Sequence, residues 1–429
     1  MHQRRWPYIK RLMSRLLICL HLLVVDCLDL HAWGQGHRLI REWAVSKLPT
    51  WQTDALGARN LHRLCNDYKS LQDQHAGGKA PHLDAYCKVP EVRLSLHDVN
   101  GPEVSAKAIR WYLDRISQNI RNGNTDEAMK FLGVLCHWNE DPGCPSAHSS
   151  PISEAELKIL IPPPANKARY NYLFGYGGIA DIGNYEIPDQ PYQPHLLGRT
   201  RDEVALRILQ HQRLLERNAA AHIVPLVQDM MQGDGAKASR HRAEAAAYNA
   251  RHIADIIYSV LCLAFDRFDA KSQVWSQDLT EWLPNPTRKR TGHPYYVTGH
   301  LVDQAMDAHR KLHPLKLTGG NNKPISSGFG TGAPYSIDYA LAPATSLTRF
   351  TCRVGFHVTA GEDAEVAFAL VANGKELHRT KPLRPADGPV QIDVPLPSSD
   401  VLRLSLVTIP TDPSKSKSNL VLWAAPRLR

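Results

Sequence analysis

Two structural classes are predicted along this 429-residue chain, an all-helical half followed by an all-β sandwich. From about residue 36 to residue 268, apolar residues recur at spacings of three and four, which is typical of amphipathic helices. After Pro324 the apolar period becomes two, and Gly, Pro, Asp and Ser separate the segments, as in the short strands of a sandwich. The length also exceeds the usual size of a single hydrophobic core, so we expect more than one domain.

The periodicity also places the individual elements. Helices are predicted at 37–48, 103–121, 125–140, 201–232 and 240–268. Strands are predicted at 335–341, 349–358, 365–371, 390–394, 401–407 and 419–423. Asn373-Gly374 is a strong signal for a hairpin turn between two of these strands. The predicted domains are a signal peptide (1–32), a helical domain (33–270), a linker or capping segment (271–314) and a β-sandwich (315–429).

The first residues have the form of an export signal. Basic residues precede an apolar stretch from Leu16 to Val25 that is too short to span a bilayer. Ala32 is the predicted last residue of the signal, so the mature chain would begin at Trp33. This predicts a secreted or periplasmic protein without a stable membrane span, and the alternative is a buried N-terminal helix.

Removal of the signal leaves six cysteines, an even number that permits disulfides in an oxidising compartment. The local pairings that we predict are Cys65 with Cys87 and Cys136 with Cys144. The composition, with 43% hydrophobic and 22% charged residues, is that of a folded globular protein. The net charge of +9 is spread without a long basic run, so charge alone does not identify a partner.

One short segment carries the clearest metal chemistry. His137 and Asp141 are four residues apart, so a helix places both side chains on one face, and His148 follows on a loop. Imidazole and carboxylate groups are ligands that zinc takes at sites open to water, although a solvated helix face is the alternative for an isolated pair. His37 lies near the predicted mature N terminus. The polar stretch between Cys65 and Cys87 adds three candidates: Asp67, His82 and Asp84.

These residues resemble the superfamily of bacterial zinc-dependent phospholipases C and fungal single-strand nucleases. The matching strings are Trp33-Gly-Gln-Gly-His37, Asp67 followed by Pro81-His82-Leu83-Asp84, and His137 followed by Asp141, Pro145 and His148. The resemblance covers about 33–268 and implies an all-helical fold that holds two or three zinc ions. The implied metal ligands are the main chain of Trp33 after signal cleavage and the side chains of His37, Asp67, His82, His137, Asp141 and His148.

The same resemblance implies a zinc-dependent phosphodiesterase that acts on a phospholipid or a nucleic acid. Zinc ions would polarise a phosphoryl oxygen and lower the pKa of bound water from about 16 toward 7. Asp67 and Asp84 are the candidate catalytic carboxylates, as ligand or general base, with Asp67 preferred as a ligand. An aromatic-rich loop at 170–176 is a candidate for base stacking, and a hydrophobic anchor is an equal alternative.

Residues 315–429 resemble the NPCBM carbohydrate-binding modules of secreted enzymes, which are β-sandwiches. The matching strings are Gly328-Phe-Gly-Thr-Gly-Ala-Pro-Tyr335, Phe350 to Gly355, Ala372 to Leu377 and Leu422 to Leu428. The resemblance implies a polysaccharide as a partner of this module. A purely structural sandwich is the alternative, because Gly332 stands where the family has a histidine. Trp423 is either a core residue or a platform for a sugar ring.

Two other functions stay open. The family's last ligand pair, a histidine followed four residues later by Glu or Asp, is not found between 149 and 232. This favours a non-catalytic secreted carbohydrate-binding or adhesion protein with a degenerate metal site. A glycosidase is a third hypothesis, although a histidine-rich helical half does not suggest paired catalytic carboxylates. We expect a monomer. Candidates for the missing ligands are His195, which is preferred, and His211, His222 and His252 with Asp255.

Overall fold

Helices occupy the first part of the chain and strands the last part, which confirms the predicted fold class. The computed structural model describes residues 33–95, 102–145, 185–269, 278–282, 300–320, 323–341, 348–398, 402–415 and 418–429. Eight α-helices lie within these ranges: α1 Gly36–Ser46, α2 Thr50–Asn66, α3 Leu71–His75, α4 Asp84–Cys87, α5 Pro102–Arg121, α6 Thr125–Glu140, α7 Arg201–Gln232 and α8 Gly235–Phe265.

The apolar period locates the long helices closely. α6 and α7 have the predicted bounds, and α7 starts at a capping box in which Thr200 and Glu203 exchange hydrogen bonds with each other's main chain. α8 begins five residues before the predicted position. α2 was not predicted because Gly57, with φ of 75°, interrupts its apolar period.

α6 is the helix that carries the polar residues of the site into the protein interior. It packs against α2 and α5, while α8 packs against α1, α5, α6 and α7. The last ten residues of α6, from Phe131 to Glu140, are all buried. The polar side chains at its C-terminal end are therefore enclosed by other helices, where each needs a partner.

Most strands of the last part of the chain form two antiparallel sheets that face each other, and two short strands form a separate pair. The four-stranded sheet has the order β10-β9-β12-β7, and the five-stranded sheet has the order β11-β8-β13-β6-β3. The bounds in this part of the chain are β3 His300–Val302, β4 Gln304–Met306, β5 Leu312–Pro314, β6 Gly328–Thr331, β7 Tyr335–Leu341, β8 Arg349–Phe356, β9 Val366–Ala372, β10 Lys375–Arg379, β11 Val390–Pro395, β12 Leu402–Pro410 and β13 Val421–Leu428. Two short strands, β1 Lys88–Val89 and β2 Leu94–Ser95, pair within the helical part.

The predicted turn at Asn373-Gly374 joins β9 to β10, and both residues have positive φ, 50° and 78°. The sandwich begins earlier than predicted, because β3 pairs with β6 and β4 pairs with β5 inside the segment 271–314. Strands of three residues are too short to show a period of two, so the sequence pattern there resembled a linker.

The helical part packs directly on the sandwich through α7. The side-chain amide of Gln210 donates to the carbonyl of Ala340 on β7 at 3.0 Å. The guanidinium of Arg207 lies 4.3 Å from the ring centre of Trp282, which is buried. These contacts are a hydrogen bond and a cation–π pair in the interior, so the two parts share an ordered interface.

Neither predicted disulfide is formed within the described ranges. The thiols of Cys65 and Cys87 are buried, and burial raises the pKa of each to about 12. Burial also raises the pKa of the Cys136 thiol, and Cys87 Sγ donates to the carbonyl of Leu71 at 3.6 Å. The cysteines thus act as small core residues, a use that sequence spacing does not distinguish from pairing.

Among the described helices, none combines the length and the apolar character that a membrane crossing requires.

Trp423 is a core residue of the sandwich. It has no exposed surface, and its ring meets Phe368 edge to face, with centroids 5.4 Å apart. We therefore expect Trp423→Ala to lower the free energy of unfolding by about 3–5 kcal/mol, because it leaves a large cavity between the sheets. Urea denaturation of the variant measures this. An unchanged midpoint together with lost sugar binding would instead assign Trp423 to a binding surface.

Candidate metal centre

Three elements converge on one cluster of imidazole and carboxylate groups. His37 lies on α1 and Asp73 on α3, while His137 lies in the last turn of α6. Asp141 caps the C-terminal end of α6 and begins a short 3-10 turn, Asp141–Gly143. We call these four residues the central cluster.

The polar atoms of the central cluster face one another at short distances. His37 Nε2 lies 3.6 Å from Asp141 Oδ1, and His137 Nε2 lies 3.5 Å from Asp141 Oδ2. His137 Nε2 also lies 3.2 Å from Asp73 Oδ1. The two imidazole rings stack with centroids 4.2 Å apart. Ligand atoms of a tetrahedral zinc ion are about 3.3–3.4 Å apart when the bonds are about 2.0–2.1 Å, so these separations suit a shared cation.

The other ring nitrogen of each histidine is held by an acceptor. His37 Nδ1 lies 2.6 Å from Glu140 Oε2, and His137 Nδ1 lies 2.6 Å from the carbonyl oxygen of Lys69. A proton on Nδ1 leaves Nε2 as the nitrogen that faces the cluster, which is the second-sphere arrangement of metal-binding histidines. His37 Nε2 is buried and has no hydrogen-bond partner within the described ranges.

A buried ion pair fixes the Glu140 carboxylate. Arg41 Nε donates to Glu140 Oε1 at 2.7 Å, and Arg41 Nη2 donates to Oε2 at 3.0 Å. The guanidinium also donates to the carbonyls of Leu64 and Gly133, at 3.0 and 2.9 Å. Both charged side chains are completely buried. Each buried charge therefore has an opposite charge and hydrogen-bond partners, as burial of charge requires.

Glycine at position 133 allows the close contact that places the Lys69 carbonyl. A Cβ at this position would lie 2.7 Å from the Tyr68 carbonyl oxygen, closer than real side chains allow. The 68–69 segment can consequently lie directly on α6, and the next carbonyl reaches the ring of His137.

The charges of the cluster shift the pKa values of its members in opposite directions. Burial and the neighbouring His137 lower the pKa of His37 to about 4, against the effect of Glu140. Burial also opposes charge on His137, but the carboxylates of Asp141 and Asp73 outweigh it and raise the pKa to about 9. Burial favours the neutral form of Glu140, and the Arg41 charge overcomes it and holds the pKa at about 2. The effect of Asp141 and Asp73 on His137 shows that the carboxylates of the cluster favour positive charge beside them.

Trp33 is attached to the same segment through its side chain. Its Nε1 donates to the carbonyl of Glu140 at 2.7 Å, and Asn249 Nδ2 donates to that carbonyl at the same distance. Its indole is buried, and Gly36 leaves room for it, because a Cβ there would lie 3.0 Å from Trp33 Cε3. The structure therefore places the Trp33 side chain at the C-terminal end of α6, beside the Glu140 carbonyl.

Three predicted site residues lie outside the central cluster. Asp67 has 53% of its side chain exposed and lies 3.5 Å from Arg63, while His82 is exposed. Asp84 accepts hydrogen bonds from His75 Nε2 and Lys88 Nζ, each at 2.7 Å. His148, the aromatic loop at 170–176 and the predicted signal at 1–32 lie outside the described residues.

The sequence interpretation missed Asp73, Glu140 and Arg41. Arg41 follows His37 by four residues, so the spacing already placed the two on one helix face. Glu140 precedes Asp141 in the same string, but its side chain turns toward the interior of the protein. Asp73 carried no signal beyond its position in the polar stretch that contains Asp67.

Three of the four histidines proposed as substitute ligands form two other contacts. His195 Nδ1 lies 3.8 Å from Asp255 Oδ1, and Tyr192 Oη donates to the same carboxylate at 2.9 Å. His211 Nδ1 lies 2.6 Å from His252 Nδ1. Burial lowers the pKa of His252 to about 3 and that of His211 well below its usual value, so the pair shares a hydrogen bond between neutral rings.

Comparison with known families identifies the sandwich. The NPCBM/NEW2 domain family matches residues 280–429, which include the strands β3 to β13. This part of the chain is therefore similar to NPCBM/NEW2 domains. Its start at residue 280 agrees with the early strands and precedes the predicted boundary at 315. The comparison with curated proteins gives no match.

Comparison with solved structures gives several matches. CBM51 from Clostridium perfringens GH95 in complex with methyl-galactose is 19% identical, with 36% of this chain and 100% of that chain covered and a TM-score of 0.29. The CBM51-2 and INT domains of Clostridium perfringens ZmpB are 14% identical, with 36% and 32% covered and a TM-score of 0.27. The chain thus spans about a third of that structure. Alpha toxin from Clostridium absonum is 11% identical, with 92% and 93% covered and a TM-score of 0.29.

Proposed function

We propose that the helical part is a secreted, zinc-dependent phosphoester hydrolase and that its NPCBM/NEW2 domain binds carbohydrate. The observation that carries the proposal is the central cluster, in which two imidazole Nε2 atoms and two carboxylates face one another. The resemblance of its histidine strings to zinc-dependent phospholipases C and nucleases supports the phosphoester class. Export, which the sequence of the first 32 residues suggests, would release Trp33 as the new N terminus beside the cluster.

The four side chains of the central cluster suit a zinc ion in their ligand atoms and in their burial. Imidazole nitrogen and carboxylate oxygen are ligands of catalytic zinc sites. His37 offers a buried Nε2 that otherwise makes no hydrogen bond within the described ranges, and Asp73 and Asp141 are each less than a sixth exposed. The described residues provide the donors for one ion. The second and third ions remain predictions.

The residues of this chain have distinct roles in the proposal. His37, Asp73, His137 and Asp141 bind the ion. Glu140 and the Lys69 carbonyl orient the two rings, and Arg41 keeps Glu140 ionised. When bound, such an ion supplies Lewis acidity that polarises a phosphoryl oxygen and acidifies water. Each ring is held from behind, so little reorganisation is needed when substrate binds.

The sandwich suits a targeting role better than a catalytic one. A carbohydrate-binding domain would hold the hydrolase near a glycan-coated surface and raise the local concentration of substrate there. Its Trp423 is used in the core, so the sugar contact must involve other residues. A polysaccharide is the partner class that we propose.

A non-catalytic carbohydrate-binding protein with a degenerate metal site is the second candidate. The observation that favours it is the position of Asp67 and His82, which lie at the surface although the resemblance implies that they are ligands. A protein of this kind would keep the Arg41–Glu140 pair for stability alone.

Metal analysis with activity assays tests the proposal. We expect the signal-cleaved full chain to retain at least one zinc per chain after dialysis. We also expect it to hydrolyse a phosphatidylcholine vesicle, a single-stranded oligonucleotide or a small phosphodiester. EDTA should abolish this activity and zinc should restore it. His137→Gln should lower the activity by at least about 100-fold, because it removes a ligand rather than an orienting group.

The control is His62→Gln, which changes an exposed histidine of α2 and should leave the activity unchanged. Less than one zinc per chain in the parent protein would reject the hydrolase and favour the second candidate. Bound zinc without turnover of any of the three substrates would reject the phosphoester class while keeping the metal site.

A further inference from the structure

A second group of imidazole and carboxylate side chains lies toward the tip of the α7–α8 hairpin. His222 is on α7, and His241 and Glu244 are on α8, three residues apart and so on one face. His222 lies ten residues, or about 15 Å of helix, beyond Gln212, whose amide donates to the carbonyl of Trp138. The group is therefore separate from the central cluster.

The distances in this group suit a tetrahedral ion. His222 Nδ1 lies 3.4 Å from His241 Nδ1 and 3.8 Å from Glu244 Oε2. One ligand atom of each of the three residues lies within 4.8 Å of those of the other two. The nitrogen separation is that expected for two imidazoles on one zinc ion, about 3.3–3.4 Å.

Asp229 determines which nitrogen of His241 faces the group. His241 Nε2 lies 3.3 Å from Asp229 Oδ2, an oxygen placed to accept a hydrogen bond from a proton on that nitrogen. Nδ1 then carries the lone pair, and it points at the Nδ1 atom of His222. A carboxylate behind a histidine is the usual second-sphere partner of a metal-binding imidazole.

We propose that His222, His241 and Glu244 bind a zinc-type divalent ion that clips α7 to α8. The histidines are mostly buried, with 16% and 22% of their side chains exposed, while Glu244 is 54% exposed. The exposed side leaves a fourth position for water. Two imidazoles and one carboxylate select zinc or a neighbouring transition metal over calcium or magnesium.

The location gives the ion a structural task. The tip of the hairpin has a small hydrophobic core that is separate from the main core. It consists of Ile223, Leu226, Val227 and Ala238. A ligand set that spans both helices stabilises the folded hairpin by its binding free energy. Zinc should therefore slow hydrogen exchange of the amides around residues 223–244.

Zinc titration of the full chain tests the site independently of activity. We expect the EDTA-stripped parent to bind one equivalent more than the double variant His222→Gln/His241→Gln, measured by elemental analysis at fixed free zinc. The protection of the hairpin amides by zinc should be lost in the same variant. His137→Gln should remove a different equivalent and leave that protection intact.

Two milder variants keep the test valid if the double variant folds poorly. Glu244→Gln changes an exposed side chain and should weaken zinc binding at the hairpin by at least about 10-fold. Asp229→Asn should weaken it by about 10–100-fold through the orientation of His241. His62→Gln serves as the surface control. Unchanged stoichiometry and unchanged exchange in the double variant would show that His222 and His241 share only a hydrogen bond, and would overturn the proposal.

Discussion

Replacing Asp73 by asparagine should weaken zinc binding at the central cluster by more than about 100-fold, whereas Asp67→Asn should leave it unchanged. Asp73 Oδ1 lies 3.2 Å from His137 Nε2, and only 13% of the Asp73 side chain is exposed. Asp67 is at the surface beside Arg63. Loss of an orienting partner costs about 10–100-fold in metal affinity, so loss of a direct carboxylate ligand should cost more.

Competition with a chromogenic chelator measures this effect. The variants are best made in the His222→Gln/His241→Gln background, so that only the central cluster is titrated. The amide of asparagine preserves the volume of the side chain and removes its charge, which separates coordination from packing. Equal losses of zinc affinity in Asp73→Asn and Asp67→Asn would show that the cluster rearranges around the ion. A loss of affinity in Asp67→Asn alone would support Asp67 as the ligand, as the sequence resemblance implies.

The helices and strands could be predicted because most of them show the apolar period of their secondary structure in the local sequence. α6 and α7 have the bounds predicted from apolar spacing, and β7 has the bounds predicted from alternation. β8 begins at the predicted residue and ends at Phe356, two residues before the predicted end. The early strands β3 to β5 were missed because three residues cannot establish a period. The hairpin at Asn373 was found because its turn chemistry is specific to positive φ.

The site was only partly predictable because its residues meet through tertiary packing. The His137 and Asp141 pair was visible because one helix carries both, and His37 because it belongs to a recognisable string. Asp73 joins them through the short helix α3, and no spacing records that contact. Asp67 and Asp73 are the same residue type, six positions apart, and only the path of the chain decides which of them contacts His137.

Arg41 and Glu140 form an ion pair in which both charges are buried, so removal of either partner should be costly. We expect Glu140→Gln to lower the free energy of unfolding by about 3–5 kcal/mol, because Arg41 then remains charged in the interior without its counter-ion. Urea denaturation of the EDTA-treated protein, followed by the helical circular dichroism signal, measures this without any contribution from bound metal. Glu127→Gln is the matched control on the same helix. Its carboxylate is 41% exposed beside Lys130, so its removal should cost less than about 1 kcal/mol.

The double variant Arg41→Met/Glu140→Leu separates stability from metal binding. Replacing both charges by apolar groups removes the uncompensated charge, so the double variant should be more stable than Glu140→Gln. Its zinc affinity should nevertheless stay about 10–100-fold below that of the parent, because His37 Nδ1 has lost the acceptor that orients its ring. Recovery of both properties would mean that Glu140 serves only the fold. Recovery of neither would mean that Arg41 and Glu140 have independent roles, since Arg41 also holds the carbonyls of Leu64 and Gly133.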